Sequence, residues 1–134
     1  EAAAYKELIG PRYLFSIVAY SIGVFIIFLS TVPSVALKEI PDFEIDKAAH
    51  AFAYFCFAMS VFVALNLDWK LKTARKWTII SGFSLGLLLE IVQGSLLSYR
   101  SFEVFDLLAN TLGIVFFLFL SKRVKKLLSN AVFL

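Results

Sequence analysis

Polar side chains recur at helical spacing within apolar stretches of this 134-residue chain. Asp46, His50 and Tyr54 follow one another at intervals of four residues, which places them in one row on a helix face. A carboxylate can orient an imidazole or carry the opposite charge, and the phenol would extend the row. Such a row could support acid–base chemistry or the binding of a polar group. The structural alternative is a helix-capping aspartate, an interfacial histidine and a tyrosine bonded to a neighbouring helix.

A second row combines glycines with polar groups. Gly82, Gly86 and Glu90 are spaced by four residues, and Gln93 follows. Because Gly-x-x-x-Gly allows another helix to approach closely, we expect Glu90 to face a tight helix contact or a small cavity rather than lipid. Gln93 continues the stripe outward, which favours a ligand site. The alternative is that Glu90 only ties two helices together.

A third row follows an arginine. Asp106, Asn110 and Gly113 share one helix face, and Arg100 precedes them. The guanidinium of Arg100 offers five donors in a fork that suits phosphate or carboxylate. Its structural alternative is an ion pair with Glu103 or Asp106.

These polar groups lie in sequence that predicts a membrane protein. The chain is 60% hydrophobic and only 17% charged, whereas soluble domains have about 25% charged residues. The fold class we expect is an all-α bundle of four transmembrane helices. Apolar runs long enough to cross about 30 Å of hydrocarbon cover residues 13–32, 46–67, 77–97 and 104–120. Polar side chains inside such runs are costly and are functional candidates by default.

The basic residues predict an orientation. Of the 13 Lys and Arg, ten lie in the N-terminal segment, in the loop between the second and third runs, and in the tail. The other three are Lys38, Lys47 and Arg100. Because basic residues are retained on the cytoplasmic side, both termini are expected there, and the polar groups are expected near the outer leaflet. We expect one domain over residues 9–120, a linker-like segment over residues 1–8 and a basic, interfacial tail over residues 121–134.

The composition limits the cofactors. With one histidine in the chain, a centre with several histidines is excluded, and Cys56 has no second cysteine for an internal disulfide. A mixed metal site of His50, Glu90 and Asp106 stays open, but neither a metal nor another cofactor is predicted. No glycine-rich phosphate loop, nucleophile elbow or nucleic-acid module is present, so a nucleic-acid partner is not expected.

The ordered motifs resemble those of the VanZ-like family of small bacterial membrane proteins over about residues 9–120. They are Asp46-Lys47-x-x-His50-x-x-x-Tyr54, Glu90-x-x-Gln93, Arg100, Asp106 and Asn110-x-x-Gly113. The resemblance implies four spans in the bacterial cytoplasmic membrane. The family is named for a protein associated with low-level resistance to the glycopeptide teicoplanin, which implies a connection with the cell envelope.

Three functions fit these residues. The first is binding of a membrane lipid, a lipid-linked cell-wall precursor or a glycopeptide at the outer leaflet. Its expected ligand contacts are Asp46, Lys47, Tyr54, Gln93, Arg100 and Asn110. The second is a hydrolase or transferase of lipid headgroups, for which the acid–base candidates are His50, Glu90 and Asp106. The third is a structural role, in which the polar groups only lock the helices together and function lies in a protein partner.

Overall fold

A computed structural model describes residues 13–33 and 43–132, most of which lie in long helices. The described helices are α1 (Leu14–Thr31), α2 (Phe43–Leu67), α3 (Ala74–Leu96) and α4 (Val104–Val132). All four are long and apolar enough to cross a membrane, which confirms the predicted all-helical class with four candidate spans. The expected linker over residues 1–8 lies outside the described residues.

The helix boundaries differ from the predicted runs by three residues or more at three places. α3 begins at Ala74, three residues before the predicted start of its run at residue 77. α2 begins at Phe43, so Asp46 lies in its first turn and is not its N-cap. α4 continues to Val132, beyond the predicted end of the run at residue 120. Because residues 121–130 contain neither glycine nor proline, nothing interrupts the helix where the basic tail begins.

The second helix lies at the centre of the bundle. α2 contacts the other three helices, most extensively α4, whereas α1 packs on α2 and makes a smaller contact with α3. Phe62 of α2 packs edge-on against Phe117 of α4, with ring centroids 5.4 Å apart. Only 11% of the apolar window of α1 is buried, against 39% for α4. α1 is therefore peripheral, and most of its apolar surface is left for lipid.

Glycines set the spacing between the helices that carry the polar rows. A Cβ atom on Gly113 would overlap the backbone carbonyl oxygen of Ala51, so α2 and α4 touch backbone to backbone. A Cβ atom on Gly86 would lie 3.4 Å from both Asn110 Nδ2 and Tyr54 Cε1. The close approach predicted from the glycine stripe therefore occurs, and it brings α2, α3 and α4 together around these side chains.

Candidate functional site

Charged and polar side chains gather at one end of the bundle, where α2 and α4 begin and α3 ends. We call this group the Lys47 cluster. Its members are Asp46, Lys47, His50, Glu90, Glu103, Asp106 and Asn110. All but Glu103 are sequence-predicted site residues, and the structure brings them together from three helices.

Lys47 is surrounded by carboxylates. Its ammonium donates to Asp46 Oδ2 at 2.9 Å, to Glu103 Oε2 at 3.0 Å and to Asp106 Oδ1. The side chains of Lys47 and Asp106 are only 14% and 10% exposed. An ammonium has three protons, and here each of three carboxylates can accept one. Lys47 thus acts as the internal counter-ion of these carboxylates, and its predicted contact with a ligand stays a prediction.

His50 is held by one of its ring nitrogens. Nδ1 lies 3.0 Å from Asn110 Oδ1, and since an amide oxygen can only accept, Nδ1 carries the proton. The other nitrogen, Nε2, lies 3.7 Å from Asp106 Oδ2 and 3.9 Å from Asp46 Oδ1. Both separations exceed hydrogen-bond length. In neutral His50, the lone pair of Nε2 therefore faces two carboxylate oxygens.

Glu90 is buried and joins α3 to α4. It is 1% exposed, as the glycine stripe predicted, and its Oε2 accepts the backbone N–H of Glu103 at 3.0 Å. Glu103 immediately precedes α4, so this carboxylate caps the positive end of that helix. Among the described residues no hydrogen bond links Glu90 to His50. Glu90 therefore ties α3 to the start of α4, as the structural alternative expected. Its acid–base role stays a prediction.

Gln93 lies one turn beyond Glu90 and bonds to α1. Its Nε2 donates to the carbonyl oxygen of Ser30 at 2.9 Å, and the Tyr99 hydroxyl donates to the carbonyl oxygen of Thr31 at 2.6 Å. These bonds satisfy carbonyl groups in the last turn of α1, which have no partner within their own helix. Gln93 therefore fastens α1 to α3, and its predicted contact with a ligand stays a prediction.

Tyr54 and Arg100 each hold a buried polar atom without a hydrogen-bond partner among the described residues. For Tyr54, which is 2% exposed, it is the hydroxyl, and for Arg100 it is Nε. The ion pair considered for Arg100, with Glu103 or Asp106, is absent among the described residues, where both carboxylates bind Lys47. The Arg100 guanidinium therefore has no salt bridge in the part of the chain that the structure describes.

Sequence reasoning missed the place of Glu103 in the cluster. Its side chain binds Lys47, and its backbone N–H binds Glu90. One signal was present: Glu103 stands three residues before Asp106, at the start of a helix, where acidic side chains are favoured by the helix dipole.

An apolar groove lies beside the cluster, between α2 and α4. It has a volume of about 450 Å³ and is lined by Ala51, Phe52, Phe55, Leu112, Gly113 and Phe116. Ala51 of this lining directly follows His50 on α2, and Leu112 lies two residues after Asn110 on α4. The end of the bundle therefore combines charged groups with an apolar groove that faces the region expected to hold lipid.

Comparison with known proteins places these residues in a wider group. A family model described as VanZ/LLP1 matches residues 11–126 of the chain, a range that includes the whole Lys47 cluster. Comparisons with curated proteins and with solved structures gave no match.

Proposed function

Because this chain belongs to the VanZ-like family and has four helices able to span a membrane, we propose that it binds a lipid or lipid-linked cell-envelope molecule in the bacterial cytoplasmic membrane. One observation carries the proposal: the charged Lys47 cluster adjoins an apolar groove at one end of the bundle. An amphipathic ligand needs both environments at once, a polar one for its headgroup and an apolar one for its chain.

The basic residues support an orientation for this site. Ten of the 13 lie on the side opposite the cluster if the four helices cross in succession. Under the positive-inside rule that side is cytoplasmic. Both termini then face the cytoplasm, and the Lys47 cluster lies toward the outer leaflet, where cell-wall precursors and glycopeptides meet.

The contacts within the cluster favour Arg100 as the anchor for an anionic headgroup. Lys47 is already engaged by three carboxylates, whereas the Arg100 guanidinium has no salt bridge among the described residues and retains a buried Nε without a partner. A phosphate or carboxylate would provide the acceptors that this fork lacks. Binding of a lipid-linked precursor here would alter its access to teicoplanin-type drugs.

Mass spectrometry of the protein in lipid nanodiscs tests the proposal. The panel contains phospholipids, polyprenyl phosphates and lipid-linked cell-wall precursors, with and without a teicoplanin-type drug. We expect one lipid class to be retained by the wild type and its affinity to fall about tenfold, equivalent to about 1.4 kcal/mol, in Arg100→Ala. Arg75→Ala is the matched control, because Arg75 lies at the start of α3, at the other end of the bundle.

Retention of no lipid class by the wild type would contradict the proposal. Equal loss of lipid in Arg100→Ala and Arg75→Ala would contradict the assignment of Arg100. Thermal unfolding of all three proteins distinguishes a binding defect from a folding defect.

A second candidate function is a hydrolase or transferase of lipid headgroups. The observation that favours it is His50, whose Nε2 lone pair faces Asp46 and Asp106 while Asn110 fixes Nδ1. An imidazole held in one tautomer can act as a general base. In the same spectra, a new product mass that disappears in His50→Gln would favour the enzyme, whereas a retained, unchanged lipid favours binding.

A further inference from the structure

The two aspartates of the Lys47 cluster divide their oxygens between two neighbours. Asp46 offers Oδ2 and Asp106 offers Oδ1 to the Lys47 ammonium. Their remaining oxygens, Asp46 Oδ1 and Asp106 Oδ2, face Nε2 of His50. Lys47 therefore leaves a second set of three acceptor atoms pointing toward one another.

We propose that these three atoms, Asp46 Oδ1, His50 Nε2 and Asp106 Oδ2, bind a divalent cation of the Zn²⁺ class between α2 and α4. One ligand atom from each residue lies within 4.8 Å of the others. For ligands about 2.1 Å from a tetrahedral ion, neighbouring ligand atoms are about 3.4 Å apart. The observed N···O separations of 3.7 and 3.9 Å need to close by only a few tenths of an ångström.

The position of His50 fits the role of a metal ligand. Metal-bound histidines usually donate their other ring N–H to a carbonyl or carboxylate, which fixes the tautomer and the ring orientation. Asn110, which is 3% exposed, provides this acceptor at 3.0 Å from Nδ1. Imidazole with two carboxylates suits Zn²⁺ or Mn²⁺, whereas Mg²⁺ and Ca²⁺ prefer oxygen ligands alone.

The charges of the cluster also call for a cation. The carboxylates of Asp46, Glu103 and Asp106 surround the ammonium of Lys47, so these four side chains together carry a net charge of −2 when ionised. Asp106 is 7% exposed, and a partly buried negative charge is costly without a counter-ion. A divalent ion would cancel this net charge. Glu90 is not needed as a ligand, because its Oε2 is already bonded to the Glu103 N–H.

A second buried polar atom lies on the same face of α2 as His50. The Tyr54 hydroxyl, one turn further along the His50 face, is buried without a partner among the described residues. Gly86 presents no side chain here: a Cβ atom on it would lie 3.5 Å from that hydroxyl and 3.4 Å from Asn110 Nδ2. Buried polar atoms of this kind are rarely left unsatisfied. A hydrogen-bonding ligand that reaches Tyr54 would supply the missing partner.

Metal binding is tested on the purified 134-residue chain in detergent, carrying no polyhistidine tag. After equilibration with Zn²⁺ and dialysis, we expect elemental analysis to find one Zn²⁺ per chain. The affinity should fall at least about a hundredfold in His50→Ala and in Asp106→Asn, since loss of even an outer-shell partner costs 10–100-fold. Asp68→Asn is the matched control, because Asp68 binds Ser16 at the other end of the bundle, and its affinity should change less than about threefold.

A measurement on the wild type covers the case in which a variant does not fold. His50 is the only histidine, so its reaction with diethyl pyrocarbonate reports on this site alone. At a Zn²⁺ concentration ten times the Kd, the rate of modification should fall about tenfold, and Mg²⁺ at the same concentration should leave it unchanged. A wild-type chain that retains no Zn²⁺, or unaltered modification of His50 with Zn²⁺ present, would overturn the proposal. No lipid enters this assay, so its outcome is independent of lipid binding.

Discussion

Two polar clusters lie at opposite ends of the bundle, and they are built differently. At the end where α2 finishes, Asp68 Oδ2 accepts the Ser16 N–H at 2.6 Å and the Ser16 hydroxyl at 2.7 Å, and Trp69 Nε1 donates to Ser16 Oγ at 3.0 Å. There one carboxylate meets neutral donors. At the other end, three carboxylates share the ammonium of Lys47.

The difference separates a structural tie from a candidate site. Asp68 binds an N–H in the first turn of α1, where backbone donors have no partner within the helix, and Ser16 and Trp69 add side-chain bonds to this cap. The Lys47 cluster has more acceptors than donors, and the neighbouring Tyr54 and Arg100 keep buried polar atoms without partners in the described structure. Polar groups that only tie helices together need no such surplus.

The largest effect is expected from removing the central cation. In Lys47→Met, three carboxylates lose their shared donor, and the free energy of unfolding should fall by about 3–5 kcal/mol, the usual cost of breaking a buried ion pair by removing one partner. Denaturant titration of the protein in detergent micelles measures this loss.

The matched control for this substitution is Lys72→Met in the loop between α2 and α3, where Lys72 is exposed and the change should be within about 0.5 kcal/mol. Asp106→Asn added to Lys47→Met should recover part of the stability, because one of the unpaired charges disappears. If Lys47→Met were as stable as the wild type, Lys47 would not be the counter-ion of the cluster.

A smaller effect is expected at the other end. Asp68→Ala should lower the free energy of unfolding by about 1 kcal/mol, the typical value of a helix cap. Because Asp68 is remote from the Lys47 cluster, the retention of lipid and of Zn²⁺ should not change. Loss of either ligand in Asp68→Ala, at a temperature where the protein stays folded, would remove the distinction between the two ends.

The smallest effect on stability, with the opposite sign, is expected for Tyr54→Phe. The substitution removes a buried hydroxyl that has no partner in the described structure. The free energy of unfolding should stay the same or rise by up to about 1 kcal/mol in the ligand-free protein. Destabilisation by more than that would show that the hydroxyl makes a bond within the protein, and would weaken the case for a ligand beside it.

Helical periodicity was enough to predict much of this architecture. The four apolar runs gave the four helices, the spacing of Asp46 and His50 placed them on one face, and the glycines before Glu90 indicated its burial. These features depend on the order of residues within a single helix. A regular helix fixes them by its geometry alone.

Contacts between helices could not be predicted in the same way. Whether Glu103 and Asp106 reach Lys47 depends on the rotation and height of α4 against α2, where Gly113 allows the two backbones to touch. Likewise, Asp68 and Ser16 are 52 residues apart in sequence, and no periodic pattern connects them. The family match extends over both ends of the bundle, but it does not specify these pairs.

The hydrogen bond between His50 and Asn110 also makes the site visible to spectroscopy. Since the chain has a single histidine, selective ¹⁵N labelling of that residue type would give one pair of imidazole signals in a membrane sample of any size. The Nδ1 signal would report on the bond to Asn110, and the Nε2 signal on whatever lies between the two aspartates. One isotope label, without any substitution, would thus follow the centre of the Lys47 cluster as lipids, metals or drugs are added.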